Sequence, residues 1–308
     1  MRAIVIDDFG AAPTVAEIPD PVPGPGEVRV KVRVASLNGF DLAMARGWLR
    51  GMMDHEFPAT LGRDFAGTVD AVGEGVSAYA PGDEVFGVVL TQPLHHGSFA
   101  DHLVIPADHN IAPIPAGVDL LRAGTIGLAG AAALASLGAV APHRGDLVLV
   151  SGATGGVGAA AIQLAVQAGA EVIATAAPGG EAAFVRELGA VHVVDYTGDV
   201  AAQVRQLAPG GIAAALHYAG DPDVLAGVLM EGGRYATLLS ALPSGDLPIT
   251  AVPIYATPHR EVLEHLGALV AGGELRLPVQ RTYSLDAVPK ALEDFAAGTL
   301  GKLAVVID

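Results

Sequence analysis

The sequence predicts an α/β protein that combines a mostly-β region with a region of alternating strands and helices. In the first third, short segments rich in β-branched residues, such as "EVRVKVRVAS" and "AGTVDAVG", are separated by Pro/Gly turns, a pattern typical of strands. After Leu120, apolar strands alternate with helical segments, which indicates a parallel sheet covered on both faces. From Pro258 a helix precedes "LPVQRTYS" and "KLAVVID". The chain is therefore expected to return to its first region, with boundaries at residues 1–119, 120–257 and 258–308.

Composition and charge narrow the range of partners. The chain has 308 residues and a net charge of −16, from 17 Lys and Arg against 33 Asp and Glu. Such a charge repels polyanions, so neither nucleic acid nor an anionic membrane surface is expected as a partner. The sequence contains no cysteine, which excludes disulfides, thiolate metal sites and a cysteine nucleophile. No long apolar segment precedes the acids of "MRAIVIDDFG", and we expect a cytoplasmic protein.

One uncharged run, "AGTIGLAGAAALASLGAVAP" from Ala123 to Pro142, is about as long as a membrane span. Helices that cross membranes are rich in Leu, Ile and Phe, whereas this run is mostly Ala and Gly. We therefore expect a buried helix here and no membrane association.

The segment that indicates chemistry most directly is "LVLVSGATGGVGAAAIQLA", from Leu147 to Ala165. An apolar strand ends in a run of glycines, and a helix begins at once. Glycines permit a tight turn and a close approach of the backbone to a pyrophosphate, and the helix N-terminus presents free N–H groups to that anion. Because further strand–helix units follow, the motif predicts a Rossmann dinucleotide-binding domain rather than a purely structural turn. Its predicted cofactor contacts are Gly155, Gly156 and Val157.

Four further segments are distinctive. They are "ASLNGFDLAMARGW" (Ala35 to Trp48), "FPATLGRDFAGTVDAVGEGVSAYAPGDEVFG" (Phe57 to Gly87), "GSFADHLVIPA" (Gly97 to Ala107) and "LGKLAVVID" (Leu300 to Asp308). With the glycine motif, they resemble the medium-chain dehydrogenase/reductase superfamily, specifically its zinc-independent quinone oxidoreductase branch, over nearly the whole chain. The resemblance implies a GroES-like, mostly-β catalytic domain built from both chain ends, an inserted Rossmann domain and a homodimer.

Zinc-dependent members of that superfamily carry Gly-His-Glu where this chain has Gly62-Arg63-Asp64. They also carry a cysteine ligand near Asn38 and a lobe of four cysteines, and this chain has no cysteine. No metal is therefore expected, and Arg63 and Asp64 are expected to form an ion pair in place of the ligands, because a buried charge needs a partner.

Three histidines, His95, His96 and His102, could form a cluster, but adjacent histidines in a glycine-bounded loop are more often solvated. Without zinc there is no Lewis acid to polarise an alcohol or ketone. A quinone or activated enone needs less help, since it can take a hydride from nicotinamide C4 and then requires only hydrogen-bond donors and a proton. The expected substrate is therefore a quinone or an activated enone.

Asn38 and Asp41, in "LNGFD", match the family's segment beside the nicotinamide, so the resemblance implies catalytic roles for both and a cofactor contact for Asn38. The alternative is a turn in which both side chains bond local backbone. Further cofactor contacts, implied by the resemblance or by position at strand ends, are Tyr196, Lys302, Ala219, Leu238 and Leu239, with Ser240 beside them. The alternatives are packing on the sheet for Tyr196 and a surface position for Lys302.

Thr175 and Ala176, in "EVIATAAPGG", end the second strand of the Rossmann domain and are predicted to contact the adenosine ribose. NAD-binding sites place Asp or Glu at that point, and this chain has neither, so NADPH is the expected cofactor. The usual cation for the 2′-phosphate is also missing, with Arg186 and Tyr196 as candidate substitutes. The prediction is an NADPH-dependent quinone or enone reductase. The alternative is a non-redox small-molecule-binding protein or enzyme on the same fold, with weakened cofactor binding.

Overall fold

The computed structural model describes residues 1–239 and 242–308. The strands over these residues are β1 (Arg2–Ile6), β2 (Thr14–Glu17), β3 (Glu27–Ser36), β4 (Ala59–Thr60), β5 (Asp64–Val72), β6 (Glu84–Val88), β7 (His102–Pro106), β8 (Ile111–Pro113), β9 (Leu147–Ser151), β10 (Glu171–Thr175), β11 (His192–Val194), β12 (Ile212–His217), β13 (Leu229–Thr237), β14 (Thr250–Pro253), β15 (Val279–Ser284) and β16 (Lys302–Val306). The helices are α1 (Gly39–Ala45), α2 (Leu120–Val140), α3 (Gly156–Gln167), α4 (Gly180–Glu187), α5 (Val200–Leu207), α6 (Pro222–Ala226), α7 (Arg260–Ala271) and α8 (Val288–Ala296).

The chain divides into two compact units. The first contains Met1–Leu128 and Pro258–Asp308, and the second contains Ala129–Thr257. The first boundary lies nine residues beyond the expected one (128 against 119), inside α2. The start of α2 belongs to the first unit because it packs closely there. A Cβ at Gly124 would lie 2.7 Å from the Val34 side chain, and one at Gly127 would lie 2.7 Å from the Val88 side chain.

The first unit is built on two largely antiparallel sheets. A seven-stranded sheet has the order β15-β16-β3-β5-β6-β8, with β7 paired to β3, and a three-stranded sheet has the order β2-β1-β4. Strand β3 shows the physical basis of its alternating sequence, since Val30 and Val32 are fully buried while Lys31 between them is exposed, as expected where one face covers a core. The sheet places Asn38 just after β3 and Lys302 at the start of β16, the antiparallel neighbour of β3.

The second unit contains one six-stranded parallel sheet with the order β11-β10-β9-β12-β13-β14. Counted from β9, this is the order 3-2-1-4-5-6 of the doubly wound dinucleotide-binding fold. The strands of a parallel sheet all end at the same edge, so the loops after β9, β10, β12 and β13 share that edge. The strand order reverses between β9 and β12, which is where such folds bind their ligands.

Helix α2 has 21 residues and is the one helix of the described chain that is long and apolar enough to cross a membrane. However, 72% of its most apolar window is buried inside the protein. A core helix of this kind passes the same test of length and composition. The buried helix expected from the Ala/Gly-rich run is therefore what the structure contains.

Candidate functional site

The glycine turn after β9 has the geometry of a phosphate-binding turn. Gly152 lies in the left-handed region at φ +65°, which a side chain disfavours. Gly155 caps α3, which begins at Gly156. A Cβ at Gly158 would lie 2.4 Å from the carbonyl oxygen of Gly152, so glycine at this position lets α3 pack directly against the turn. The first-turn N–H groups of a helix have no intrahelical acceptor, and they lie at the positive end of the helix dipole.

Gly155 differs from the other two glycines because no contact within the protein requires it. Its φ is −72°, and an added Cβ would meet only the Gly152 carbonyl oxygen, at an ordinary 3.6 Å. The turn therefore leaves space for a group from outside the chain, and it fits the pyrophosphate of a dinucleotide. The N–H of Gly155 bonds the carbonyl oxygen of Gly152 at 3.2 Å. Gly156 and Val157 are the first two residues of α3, and their contacts with a cofactor stay predictions.

Two predicted contacts from other strand ends lie beside this turn. The hydroxyl oxygen of Thr175, at the end of β10, accepts a hydrogen bond from the N–H of Gly152 at 3.2 Å. The Cβ of Ala219, which follows β12, lies 3.1 Å from the position that a Cβ of Gly152 would take. Ala176 is 1% exposed. Thr175 therefore fixes the conformation of the turn, and its contact with a ribose stays a prediction.

The loop after β13 contributes to the same edge. The N–H of Leu238 bonds the carbonyl oxygen of His217 at 3.3 Å, and the N–H of Leu239 bonds the hydroxyl oxygen of Thr237 at 2.9 Å. Both leucines are thus tied to the ends of β12 and β13. Ser240 lies outside the described residues.

His217, at the end of β12, is a buried histidine with partners on both ring nitrogens. Its Nε2 lies 3.1 Å from the carbonyl oxygen of Gly220, and its Nδ1 lies 3.0 Å from the hydroxyl of Thr237. Because a carbonyl only accepts, Nε2 carries the proton in the neutral ring, and Nδ1 faces the hydroxyl as an acceptor. Burial lowers the pKa of His217. We therefore assign it a structural role.

The loop after β10 contains a carboxylate that the sequence pattern did not bring out. Glu181 is the second residue of α4. Its Oε2 accepts a hydrogen bond from the N–H of Ala177 at 2.8 Å, and its Oε1 accepts one from the hydroxyl of Tyr196 at 3.1 Å. Tyr196 is 51% exposed, so it does not pack on the sheet, and its bond to Glu181 raises the pKa of its hydroxyl.

The usual pattern does not indicate Glu181, because NAD-binding sites place the acid on the end of the second strand itself, here Thr175 and Ala176. A usable signal was present in the sequence. An acid in the first turn of a helix often reaches back to an upstream N–H group.

In the first unit, a buried polar cluster forms around Asp64. Its Oδ2 accepts hydrogen bonds from Ser36 Oγ at 2.6 Å, from Asn38 Nδ2 at 3.0 Å and from Lys302 Nζ at 3.2 Å. Its Oδ1 accepts one from the backbone N–H of Leu128 at 2.7 Å. A buried carboxylate needs compensating donors, and these four donors provide them.

Lys302 is only 2% exposed, so the surface position considered for it is wrong. Besides Asp64, its ammonium donates to the carbonyl oxygen of Leu37 at 2.9 Å and to Asn38 Oδ1 at 2.7 Å. All three of its hydrogens are thus used inside the protein. These contacts make Lys302 a positioning residue for the Asn38 amide, and a direct bond to a cofactor stays a prediction.

The expected ion pair between Arg63 and Asp64 is wrong. Arg63 directly precedes Asp64, the first residue of β5, and its side chain has partners of its own. Arg63 is fully buried and donates to the carbonyl oxygen of Val89 and to Met44 Sδ, both at 3.1 Å. Its guanidinium also lies 4.9 Å from the ring centre of Phe40.

Asp41 is fully buried at the start of α1. Its Oδ2 accepts from the N–H of Asn38 at 2.8 Å, and its Oδ1 accepts from the N–H of Gly62 at 3.2 Å. Burial raises the pKa of Asp41 to about 6, and Arg63 opposes that shift. Burial also lowers the pKa of Arg63 to about 10, so Arg63 stays charged at neutral pH. The local backbone bonding considered for Asp41 is present, and its catalytic role stays a prediction.

The described residues do not form a metal centre. Within residues 1–239 and 242–308, no group of three or more His, Cys, Asp and Glu side chains is arranged to hold an ion. The rings of His95 and His96 contact each other at 4.5 Å, whereas His102 faces Asp20 at 3.4 Å. The position that the resemblance assigns to a zinc ligand holds the cation Arg63, so the residues present do not fit zinc.

A mostly antiparallel unit built from both chain ends, together with a doubly wound unit carrying a pyrophosphate turn, defines a dinucleotide-dependent oxidoreductase. Two family models match the chain. They are the alcohol dehydrogenase GroES-like domain over residues 24–116 and the zinc-binding dehydrogenase family over residues 156–262. The chain belongs to the medium-chain dehydrogenase/reductase superfamily, in its quinone oxidoreductase branch.

Individual relatives match the chain over its whole length. The quinone oxidoreductase of Lama guanicoe is 29% identical over 329 residues, covering 100% of this chain and 98% of its own. The quinone oxidoreductase structure from Coxiella burnetii has a TM-score of 0.90 at 28% identity, covering 100% of this chain and 99% of its own. Mycobacterial Rv1454c complexed with NADPH has a TM-score of 0.89 at 27% identity, covering 99% and 100%. The predicted fold, Rossmann plus GroES-like, is confirmed.

Proposed function

We propose that this oxidoreductase reduces quinones or activated enones with a reduced nicotinamide dinucleotide. The observation that carries the proposal is the glycine turn between β9 and α3, where Gly155 leaves space beside the N-terminus of α3, as pyrophosphate binding requires. Full-length relatives described as quinone oxidoreductases support the substrate class. A similar structure solved with NADPH supports a nicotinamide cofactor, and NADPH is the form bound in that relative. The adenosine end of this chain is different, because Glu181 lies there.

The chain's own residues divide into those that hold the cofactor and those that hold the reacting end. Gly156 and Val157 would bind the pyrophosphate through their N–H groups, and Thr175 keeps the turn in shape through its bond to Gly152. Asn38 would orient the nicotinamide or the substrate, since Lys302 fixes its side-chain oxygen.

A reduced nicotinamide, when bound, would supply a hydride from C4, and a quinone or conjugated enone can accept a hydride without a Lewis acid. The substrate anion then needs only hydrogen-bond donors and a proton, for which water suffices. Asp41 supports this end of the site by anchoring the backbone of Asn38.

The experiment that tests the proposal follows nicotinamide absorbance with a simple quinone, a conjugated enone or a simple alcohol, each corrected for its rate without protein. We expect quinone- or enone-dependent oxidation of the reduced cofactor and no reaction with the alcohol. Failure of both NADH and NADPH to bind at millimolar concentration overturns the proposal. Tight cofactor binding without turnover of any quinone or enone would favour the alternative, a non-redox binding protein on this fold.

A further inference from the structure

We propose that Glu181 recognises the adenosine ribose and makes this protein select NADH over NADPH. The inference rests on the proposed function, because it concerns the cofactor of the same site. It replaces the expectation of NADPH, which depended on the absence of an acid at Thr175 and Ala176. Glu181 supplies that acid from the following helix.

The position of Glu181 follows from the strand order. In this fold the second strand, here β10, ends beneath the adenosine ribose of a bound dinucleotide. Glu181 folds back over the loop that leaves β10 and is held there by the N–H of Ala177 at 2.8 Å. Tyr196, which follows the neighbouring strand β11, holds the other carboxylate oxygen at 3.1 Å. The carboxylate is thus fixed between the ends of two adjacent strands, at the place where the fold recognises the ribose.

The bonding capacity of the carboxylate suits a ribose diol. An ionised carboxylate only accepts hydrogen bonds and has about four lone-pair sites. Ala177 and Tyr196 use two of them, so about two remain for the 2′- and 3′-hydroxyls of NADH. A 2′-phosphate carries about −1.5 to −2 charge at pH 7. Its oxygens accept hydrogen bonds, as the carboxylate of Glu181 does, so the two groups cannot bond each other. NADPH would therefore place like charges in contact at this point.

No cation compensates for this carboxylate in the described structure. Across residues 1–239 and 242–308, no Arg or Lys side chain is hydrogen-bonded or ion-paired to Glu181, to Tyr196 or to the loop 176–180. Arg186, the candidate reader of the 2′-phosphate, lies in the last turn of α4 and is exposed. At 3.6 residues per turn, a residue five positions beyond Glu181 projects about 140° away from it. Arg186 therefore leaves a different face of the helix.

The test compares the dissociation constants of NADH and NADPH by isothermal titration calorimetry, which needs no turnover. In the wild type we expect NADH to bind at least about tenfold more tightly than NADPH. Glu181→Gln keeps the size of the side chain and removes its charge, and should narrow that ratio by about tenfold or more. The matched control is Glu171→Gln, which removes the same charge from an exposed position at the start of β10. The control should leave the ratio unchanged.

A second variant, Tyr196→Phe, removes the hydroxyl that orients the carboxylate and keeps the charge. It should weaken NADH binding by about two- to tenfold without improving NADPH binding. If Glu181→Gln leaves the NADPH-to-NADH ratio within about threefold of the control, the inference is overturned, while binding of either cofactor leaves the reductase proposal standing. If the wild type binds neither cofactor, the proposed function fails and the inference fails with it.

Discussion

At the scale of single residues, the buried charges of Asp64 and Lys302 in the first unit require many hydrogen-bond partners. Removing two charges from water costs several kcal/mol per ion, and only good geometry with further hydrogen bonds offsets that cost. Here Asp64 accepts from four donors, and Lys302 donates all three of its hydrogens. The pair sets the direction of the Asn38 amide, and neither partner can be removed alone without leaving a buried group unsatisfied.

Lys302→Met should therefore lower the free energy of unfolding by about 3–5 kcal/mol, measured by urea denaturation. The control is Lys290→Met, since Lys290 is 62% exposed and pairs with Glu293 and Asp294 on the surface. Exposed pairs of that kind contribute little to stability. A loss for Lys302→Met no larger than that of the control would show that the buried pair does not hold the cluster together.

Asp41 should make stability depend on pH in a definite direction. Burial raises its folded-state pKa to about 6, from a model-peptide value of 3.8. The folded protein thus binds the proton more tightly than the unfolded chain does. The contribution of Asp41 to stability is fully present below the unfolded pKa and is lost as pH rises through the folded pKa. An asparagine at this position does not titrate.

The measurable quantity is the difference in unfolding free energy between the wild type and Asp41→Asn at several pH values. Between about pH 4 and pH 7 it should move by roughly 2.5 kcal/mol in favour of the variant. All other titrating groups are common to both proteins and cancel in the difference. A difference that stays constant with pH would mean that burial does not perturb Asp41.

At the scale of elements, the turn between β9 and α3 contains two kinds of glycine. Gly158 is needed for packing within the protein, whereas we expect Gly155 to be needed for a ligand. Gly158→Ala would place a Cβ 2.4 Å from the Gly152 carbonyl oxygen, so α3 must shift, and we expect a loss of about 1–3 kcal/mol in stability. Gly155→Ala makes an ordinary 3.6 Å contact and should change stability by less than about 1 kcal/mol.

Gly155→Ala, which should leave stability almost unchanged, should weaken cofactor binding, because it puts a methyl group where the pyrophosphate approaches. We expect the dissociation constant of the cofactor, measured by calorimetry, to rise at least roughly tenfold, while the melting temperature stays almost unchanged. Gly138→Ala, in α2, is the control, because a Cβ there has nothing within 4 Å. Wild-type affinity in Gly155→Ala would mean that the pyrophosphate binds elsewhere.

The elements of the second unit could largely be predicted because each is a local pattern. Helix α3 ends at Gln167, and Gly169 follows with φ +87° as its C′ glycine. Helix α1 was not predicted, because its seven residues begin with Gly39 and resemble a turn. Strand β14 was also missed, since its four residues end in a proline and show no alternation. Short elements of this kind are stabilised by their neighbours, which a local pattern does not contain.

At the scale of the whole molecule, the sequence indicated Asn38, Lys302 and Tyr196, but it indicated neither Glu181 nor the contacts that these residues make. Each of Lys302 and Asn38 could be singled out in the sequence. Their hydrogen bond joins positions 264 residues apart, and it forms only because β16 lies beside β3. Glu181 and Tyr196 meet in the same way across 15 positions. The Arg63–Asp64 ion pair was wrong because each of these neighbouring side chains has other partners, Val89 and Met44 for Arg63 and four separate donors for Asp64.

The net charge of −16 leads to a last prediction, on how fast the cofactor binds. A strongly anionic protein repels an anionic dinucleotide at long range, and salt screens that repulsion as the Debye length falls from about 30 Å at 0.01 M to about 8 Å at 0.15 M. The attraction of the α3 N-terminus acts only within its first turn. The association rate constant of NADH, measured by stopped-flow fluorescence, should therefore rise several-fold over this range. The kcat/KM of a neutral quinone at saturating cofactor is the control and should stay constant. An association rate that falls with added salt would show that a local positive field at the turn outweighs the charge of the whole molecule.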